Sequence, residues 1–185
     1  MLYFRWVNAA DRADVALACA RARIAPLKNL TVPRLELQAA VLAVRMLKAL
    51  RQSSRQKITA ATCWTDSKNV LAWIRASDRR FHMFVANTVA EIHDITRPAN
   101  WRHVPTRLNV ADSASRGQSL PELQSYQWFA GPSFLLQDEN DWPVEDYVDV
   151  EEVLSTDPEV KMELVCMAAL TSTTPDIREA LPHIT

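Results

Sequence analysis

The sequence predicts an α/β layer fold with a mixed sheet, and three patterns carry that expectation. Two β-prone runs flank a polar turn near the N-terminus; apolar residues recur at helical spacing over Leu30–Arg51 and again over Phe81–Ile95; and a short apolar run between them ends at Trp64, just before an acid and a second helical pattern. The order strand, strand, helix, strand, helix, helix, strand, helix favours helices layered on a sheet over an all-α or all-β architecture.

Leu2–Val7 and Val15–Ile24 read as the two strands of a hairpin around Asn8–Asp14. Leu30–Arg51 reads as a long helix: Thr31 suits its cap, Pro33 its first turn, and Leu35, Ala39, Leu42, Met46 and Leu50 its apolar stripe. Lys57–Trp64 is the next strand and Ser67–Arg75 a short helix. Phe81, Phe84, Val85, Thr88, Val89, Ile92 and Ile95 line another helix, which Pro98 stops. Trp101–Val104 is a short strand ended by Pro105, and Asn109–Arg116 a capped helix closed by Gly117. Beyond that point the periodicity weakens. Residues 118–143 read as an aromatic and proline-containing connector docked on the body, and 144–185 as an acidic, flexible tail.

A chain of 185 residues with 48% hydrophobic content suits one domain with a tail. Its longest apolar stretches fall far short of the roughly 18 residues a membrane span needs, and Met1 is not followed by a signal-peptide pattern, so an intracellular location, cytoplasmic or nuclear, is expected. Cys19, Cys63 and Cys166 lack metal-ligand spacing and read as structural thiols. The net charge of -1 conceals an asymmetry: Met1–Gly117 carries 19 Lys and Arg against 8 Asp and Glu, the remainder 2 against 14. A basic body of this kind suits a polyanionic partner.

Three acids of the basic body need explaining. Glu36 lies in the first turn of the long helix, on a face continued by the apolar Ala40, Ala43 and Leu47; it is either a helix-dipole acid or a side chain aimed at the core edge. Asp66 follows a strand and precedes a helix, where α/β sheets place ligands, but an N-cap explains it equally well. Asp112, the third residue after Asn109, reads as a capping-box partner or as another site acid. Carboxylates converging from different elements are what a pair of divalent cations about 4 Å apart needs in phosphodiester hydrolysis, and Mg²⁺ prefers such oxygen donors.

The segments "RIAPLKNLTVPRLELQAAVLAVRML", "CWTDSKNVLAWIRASDRRFHMFVANTVAEI" and "WRHVPTRLNVADSASRG" resemble the ribonuclease H region of BEL/Pao retrotransposon polyproteins, a family often labelled Pao retrotransposon peptidase; the resemblance extends over about Met1–Pro143. It implies a ribonuclease H-like three-layer fold and Mg²⁺- or Mn²⁺-dependent cleavage of RNA in RNA/DNA hybrids. It also implies roles for Glu36, Asp66 and Asp112 as catalytic, metal-holding carboxylates, and reverse transcriptase and integrase segments of a polyprotein as partners. The peptidase label finds no matching motif, since Asp66-Ser67 is followed by Lys68 rather than glycine.

In that family a further acid sits on a strand immediately before the "YFRWV" strand, and this chain starts at Met1, so the first strand and its carboxylate are expected to be missing and cleavage and metal binding to be weak or absent. Asp11 and Asp14 lie at the wrong end of the hairpin to replace it. Arg75, Arg79 and Arg80 are candidates for the nucleic-acid backbone, and His103 is an auxiliary candidate for product departure, against a plain strand histidine. Trp64, Trp73 and Trp101 read as core in preference to base-stacking platforms. The competing expectation is a non-catalytic nucleic-acid-binding or scaffold remnant, which needs the basic surface but not the acids.

Overall fold

The computed structural model describes residues 1–10, 12–27, 30–76, 80–112, 128–143 and 148–161. Strands β1 (Leu2–Val7) and β2 (Ala13–Cys19) form the expected antiparallel hairpin, in which Leu2 pairs with Cys19 and Val7 with Ala13. Asn8 builds the turn: its Oδ1 accepts from the N–H groups of Ala10 and Arg12 at 2.9 and 3.1 Å, an Asx arrangement that satisfies the turn backbone locally. β2 stops at Cys19, short of the predicted Ile24, where its ladder with β1 ends at the Leu2–Cys19 pair. Ala20–Leu27 runs on unpaired, with Ile24 93% exposed.

Helix α1 (Val32–Ser53) follows, with Pro33 in its first turn. Thr31 occupies the cap position without making a side-chain cap bond. The buried face is Leu37, Ala40, Val41, Val44 and Leu47, rotated from the predicted stripe; Ala39 is exposed. The helix is apolar on more than one side, so periodicity alone did not single out the inner face. Ala40 and Leu47, on the face shared by Glu36, are in the core.

Strand β3 is only Cys63–Thr65, and it pairs in parallel with β4 (Trp101–His103). Lys57–Thr62, predicted as part of the strand, has no ladder partner, and a strand without a partner leaves its backbone to water. Helix α2 (Lys68–Arg75) lies between β3 and α3 (Met83–His93) in sequence. The predicted helix from Asn109 starts as a 3₁₀ turn, Val110–Asp112; its remainder to Arg116 and the stop at Gly117 lie outside the described residues.

Among the described residues the strands thus make two separate two-stranded sheets, one antiparallel and one parallel, instead of a single mixed sheet. The larger core joins α1, α2 and α3 to Trp101 of β4. A smaller one, on which Trp64 of β3 packs, contains Val104, Phe134 and Trp142. Residues 128–143 belong to this second cluster and also tie down the hairpin: the Tyr3 hydroxyl donates to the Trp128 carbonyl at 2.9 Å and Arg5 Nε to that of Leu135 at 2.8 Å. Gly131 sits at φ +75° against the hairpin, where an added Cβ would meet Val15 Cγ1 at 2.9 Å, so only glycine fits this crossing.

Part of the segment expected to be a flexible acidic tail is folded. Val148 and Leu154 enter the larger core, helix α4 (Val150–Ser155) packs on α2, and Val160 forms an antiparallel bridge with Phe81. Acid-rich composition suggested disorder; two buried apolar side chains and donors from distant parts of the chain overcome it. Among the described residues no helix is long and apolar enough to cross a membrane.

Candidate metal centre

Glu36 sits past the first turn of α1, which contains no acid, so the helix dipole does not account for it. Asp66 follows the last residue of β3, at a bend before α2. It is not the cap: Ser67 takes that position and its hydroxyl accepts from Val70 N–H at 3.3 Å. Asp112 closes the 3₁₀ turn, while Asn109 Oδ1 accepts from Ala111 N–H at 3.1 Å. All three carboxylates are partly buried.

The fold brings these acids together. Burial pushes the Glu36 carboxyl above its ordinary pKa, a hydrogen bond from the Ser67 side chain pulls it back, and the negative charges of Asp66 and Asp112 push it up further. Proximity stops short of a formed cage, however: among the described residues no group of three or more His, Cys, Asp or Glu is close enough to hold a metal ion. Asp14 is exposed on the hairpin, where it accepts from Asn8 Nδ2 at 3.5 Å. Asp11 lies outside the described residues.

Ser67 is the site residue that the sequence reading passed over. Serine between an acid and a helical run is a cap signal, and here one hydroxyl serves both the α2 N-terminus and Glu36. His103, an auxiliary candidate or a plain strand histidine by sequence, lies at the end of β4. It is buried, with 6% of its surface exposed, and its Nε2 contacts the Asp66 backbone carbonyl at 3.3 Å. A ring enclosed in this way is poorly placed to meet a departing product.

The arginine candidates fall elsewhere. Arg75 Nη2 donates to the Trp101 carbonyl at 2.8 Å, at the start of β4, whereas Asp66 lies beyond the end of β3. α2 therefore separates Arg75 from Asp66 by about 12 Å of helix rise. Arg75 and Arg80 line a groove of about 560 Å³ together with Phe81, Val89, His93 and Lys161. Arg79 lies outside the described residues. Trp73 and Trp101 are buried core residues, and Trp64 packs edge-on against Phe134 and Trp142 with Arg102 over its ring, so none is presented as a stacking platform. Cys19 and Cys63 are free thiols, and burial pushes the Cys63 thiol up to about 11, consistent with a structural role.

Residues 1–67 match the family model described as Pao retrotransposon-like RNaseH-like domain. Over that stretch the chain is similar to this family. The RNaseH-like match spans the hairpin, α1 and β3 and ends at Ser67, so it includes Glu36 and Asp66 and leaves Asp112 beyond it. No curated protein and no solved structure matches the chain.

Proposed function

We propose that this is a retroelement RNaseH-like domain in which Glu36, Asp66 and Asp112 are three carboxylates of a divalent-cation site directed at RNA/DNA hybrids, and that the chain as it stands does not cleave them. The observation that carries the reading is the approach of Asp66, at the β3–α2 bend, and Asp112, in the 3₁₀ turn, to Glu36 of α1, whose pKa is raised by burial first and then by these two charges. The donors fit Mg²⁺ or Mn²⁺ in kind, being all carboxylate oxygens. They do not fit two ions in spacing, since no three of the described acids are drawn close enough to hold even one. A bound pair of ions would supply charge stabilisation and activation of water. The residues present supply three neighbouring negative charges, a Ser67 hydroxyl beside Glu36, and a basic body that attracts phosphate.

Reverse transcriptase and integrase segments of a polyprotein are the partners this context calls for.

The test is cleavage of a labelled RNA/DNA hybrid with Mg²⁺, Mn²⁺ or chelator. The chain itself is expected to give little cleavage. A version carrying an N-terminal strand with an aspartate is expected to gain metal-dependent activity, which Asp66→Asn abolishes. Robust cleavage by the chain alone would remove the claim that a ligand is lacking. A grafted, folded chain that binds hybrid and never cleaves favours the second reading, a non-catalytic nucleic-acid-binding module, for which the charge excess of residues 1–117 and the basic groove at Arg75, Arg80, His93 and Lys161 speak.

A further inference from the structure

One face of α3 borders the groove of about 560 Å³ rather than another helix. Ala86, Val89, Ala90 and His93 recur there at spacings of three and four, and the Phe81 ring joins them. Ala90 and His93 are exposed. The rim carries Arg75, Arg80 and Lys161, and no acid lines the groove. The chain itself is led to this place. His82 N–H donates to the Glu159 carbonyl and Lys161 N–H to that of Arg80, each at 2.8 Å, on either side of the antiparallel bridge between Phe81 and Val160. Arg34 grips Glu159 with two bonds, and the Trp73 indole holds Asp157. Lys161, the last described residue, is therefore fixed at the wall of the groove.

Residues 162–170 follow without a spacer. They read Met-Glu-Leu-Val-Cys-Met-Ala-Ala-Leu, apolar but for Glu163, and lie outside the described residues. Apolar side chains gain by leaving water, the α3 face at Ala90 offers them apolar surface, and the rim of cations complements the one acid. The reach is sufficient: α3 rises about 10 Å from Ala86 to His93, and a segment of this length spans about 13 Å as a helix and about 30 Å extended. A segment tethered at the wall of its own groove is present there at roughly millimolar effective concentration, so weak contacts are enough to seat it. We infer that residues 162–170 dock in this groove, an intramolecular contact that covers the apolar face of α3 and offsets part of its basic rim. The inference stands apart from the proposed function, since Asp66 and the groove lie at opposite ends of α2.

The experiment uses Cys166 as a reporter in the full chain. Its alkylation by iodoacetamide is followed by mass spectrometry of the peptide that carries it, and each rate is divided by that of the same chain in urea. The parent is expected to react about tenfold more slowly than in urea, the ratio given by a contact that opens about one-tenth of the time. Ala90→Arg fills the groove from an exposed position and keeps a good helix former in α3, while Leu164→Ser weakens the segment. Both should bring Cys166 to within about twofold of its urea rate. Ala49→Arg, at a second groove beside Lys48 and Glu91, should leave the protection intact. A parent Cys166 that reacts as fast as in urea overturns the inference, and so does protection that survives Ala90→Arg. Protection that grows with protein concentration gives the groove to the segment of a second copy and overturns the intramolecular contact. An unprotected Cys166, together with weaker oligonucleotide binding by Ala90→Arg, gives the groove to nucleic acid. Should Ala90→Arg not fold, Leu164→Ser decides alone: undiminished protection in that variant overturns the inference.

Discussion

Asp157 and Glu159 are the acids buried among the described residues, and each of their four carboxylate oxygens has a donor. Asp157 accepts from the buried Trp73 indole at 2.7 Å and from Asn69 at 3.4 Å through one oxygen, and from the Glu159 N–H at 2.8 Å through the other. Glu159 takes a two-pronged bond from Arg34 at 2.6 and 3.0 Å. Glu36 is only two residues beyond Arg34 in sequence and is surrounded quite differently, by two further carboxylates and one hydroxyl. The first set of acids fastens the C-terminal segment to α1 and α2. The second accumulates repulsion that folding alone does not call for, and such a local conflict is the usual mark of a site shaped by function.

The comparison breaks most readily at the C-terminal segment. Leu154 is buried between α4 and α2, so Leu154→Ala should lower stability by about 3 kcal/mol in urea denaturation, and deletion of everything after Asp146 should leave a chain without a cooperative transition. Truncation is therefore unsuitable for testing whether the acidic segment competes with nucleic acid. Glu152→Gln, on the exposed face of α4, tests competition without disturbing the core. If the truncated chain melts cooperatively near the parent temperature, the segment is an ornament and the contrast between the two sets of acids falls.

Next in size is Asp157. Asp157→Leu strands the Trp73 indole N–H and the Glu159 amide inside the protein, and each buried donor left unpaired costs about 1–3 kcal/mol. A loss of about 2–4 kcal/mol is expected, measurable by the same denaturation and by altered Trp73 fluorescence. Glu159→Gln should cost about 1 kcal/mol, because the Arg34 side chain it pairs with is 30% exposed and partly recovers its hydration.

Local signals account for what was legible in the sequence. Asn8 announces the hairpin turn, Pro33 the start of α1, Ser67 the start of α2 and Pro98 the end of α3. The convergence of Glu36 and Asp66 was visible through family resemblance, not through spacing. The unread features depend on distant partners: Trp73 and Asp157 are 84 positions apart, and Arg34 and Glu159 125, so an acid-rich segment looked solvated when its donors lay elsewhere in the chain. The rotated inner face of α1 and the short β3 were hidden for a related reason. Only the packing partner decides which apolar stripe is buried, and only a ladder partner decides how long a strand is.

The smallest effect is the sharpest, because its sign is opposite. The Glu36 carboxyl has a folded-state pKa raised above its ordinary 4.5, by burial first and by Asp66 and Asp112 after it. The folded chain therefore holds this proton more tightly than the unfolded chain does, and ionisation at neutral pH works against folding. The contribution of Glu36 to stability is greatest below about pH 4.5 and is lost as pH rises through the elevated folded value. Glu36→Gln removes the charge and should stabilise the protein at pH 7, by less than about 1 kcal/mol since the site is partly solvated and screened. The gain should shrink as pH falls toward 4.5, whereas Asp157→Leu and Glu159→Gln destabilise at pH 7. Saturating Mg²⁺ should stabilise the parent more than Glu36→Gln if the acids draw a cation, because a ligand stabilises only the form it binds. Parallel denaturation of the two proteins at pH 7 and pH 4.5, with and without Mg²⁺, reads all of these signs. A Glu36→Gln protein less stable than the parent at pH 7 would place Glu36 with Asp157 and Glu159 as a structural acid, and the carboxylate cluster would lose its claim to be a site.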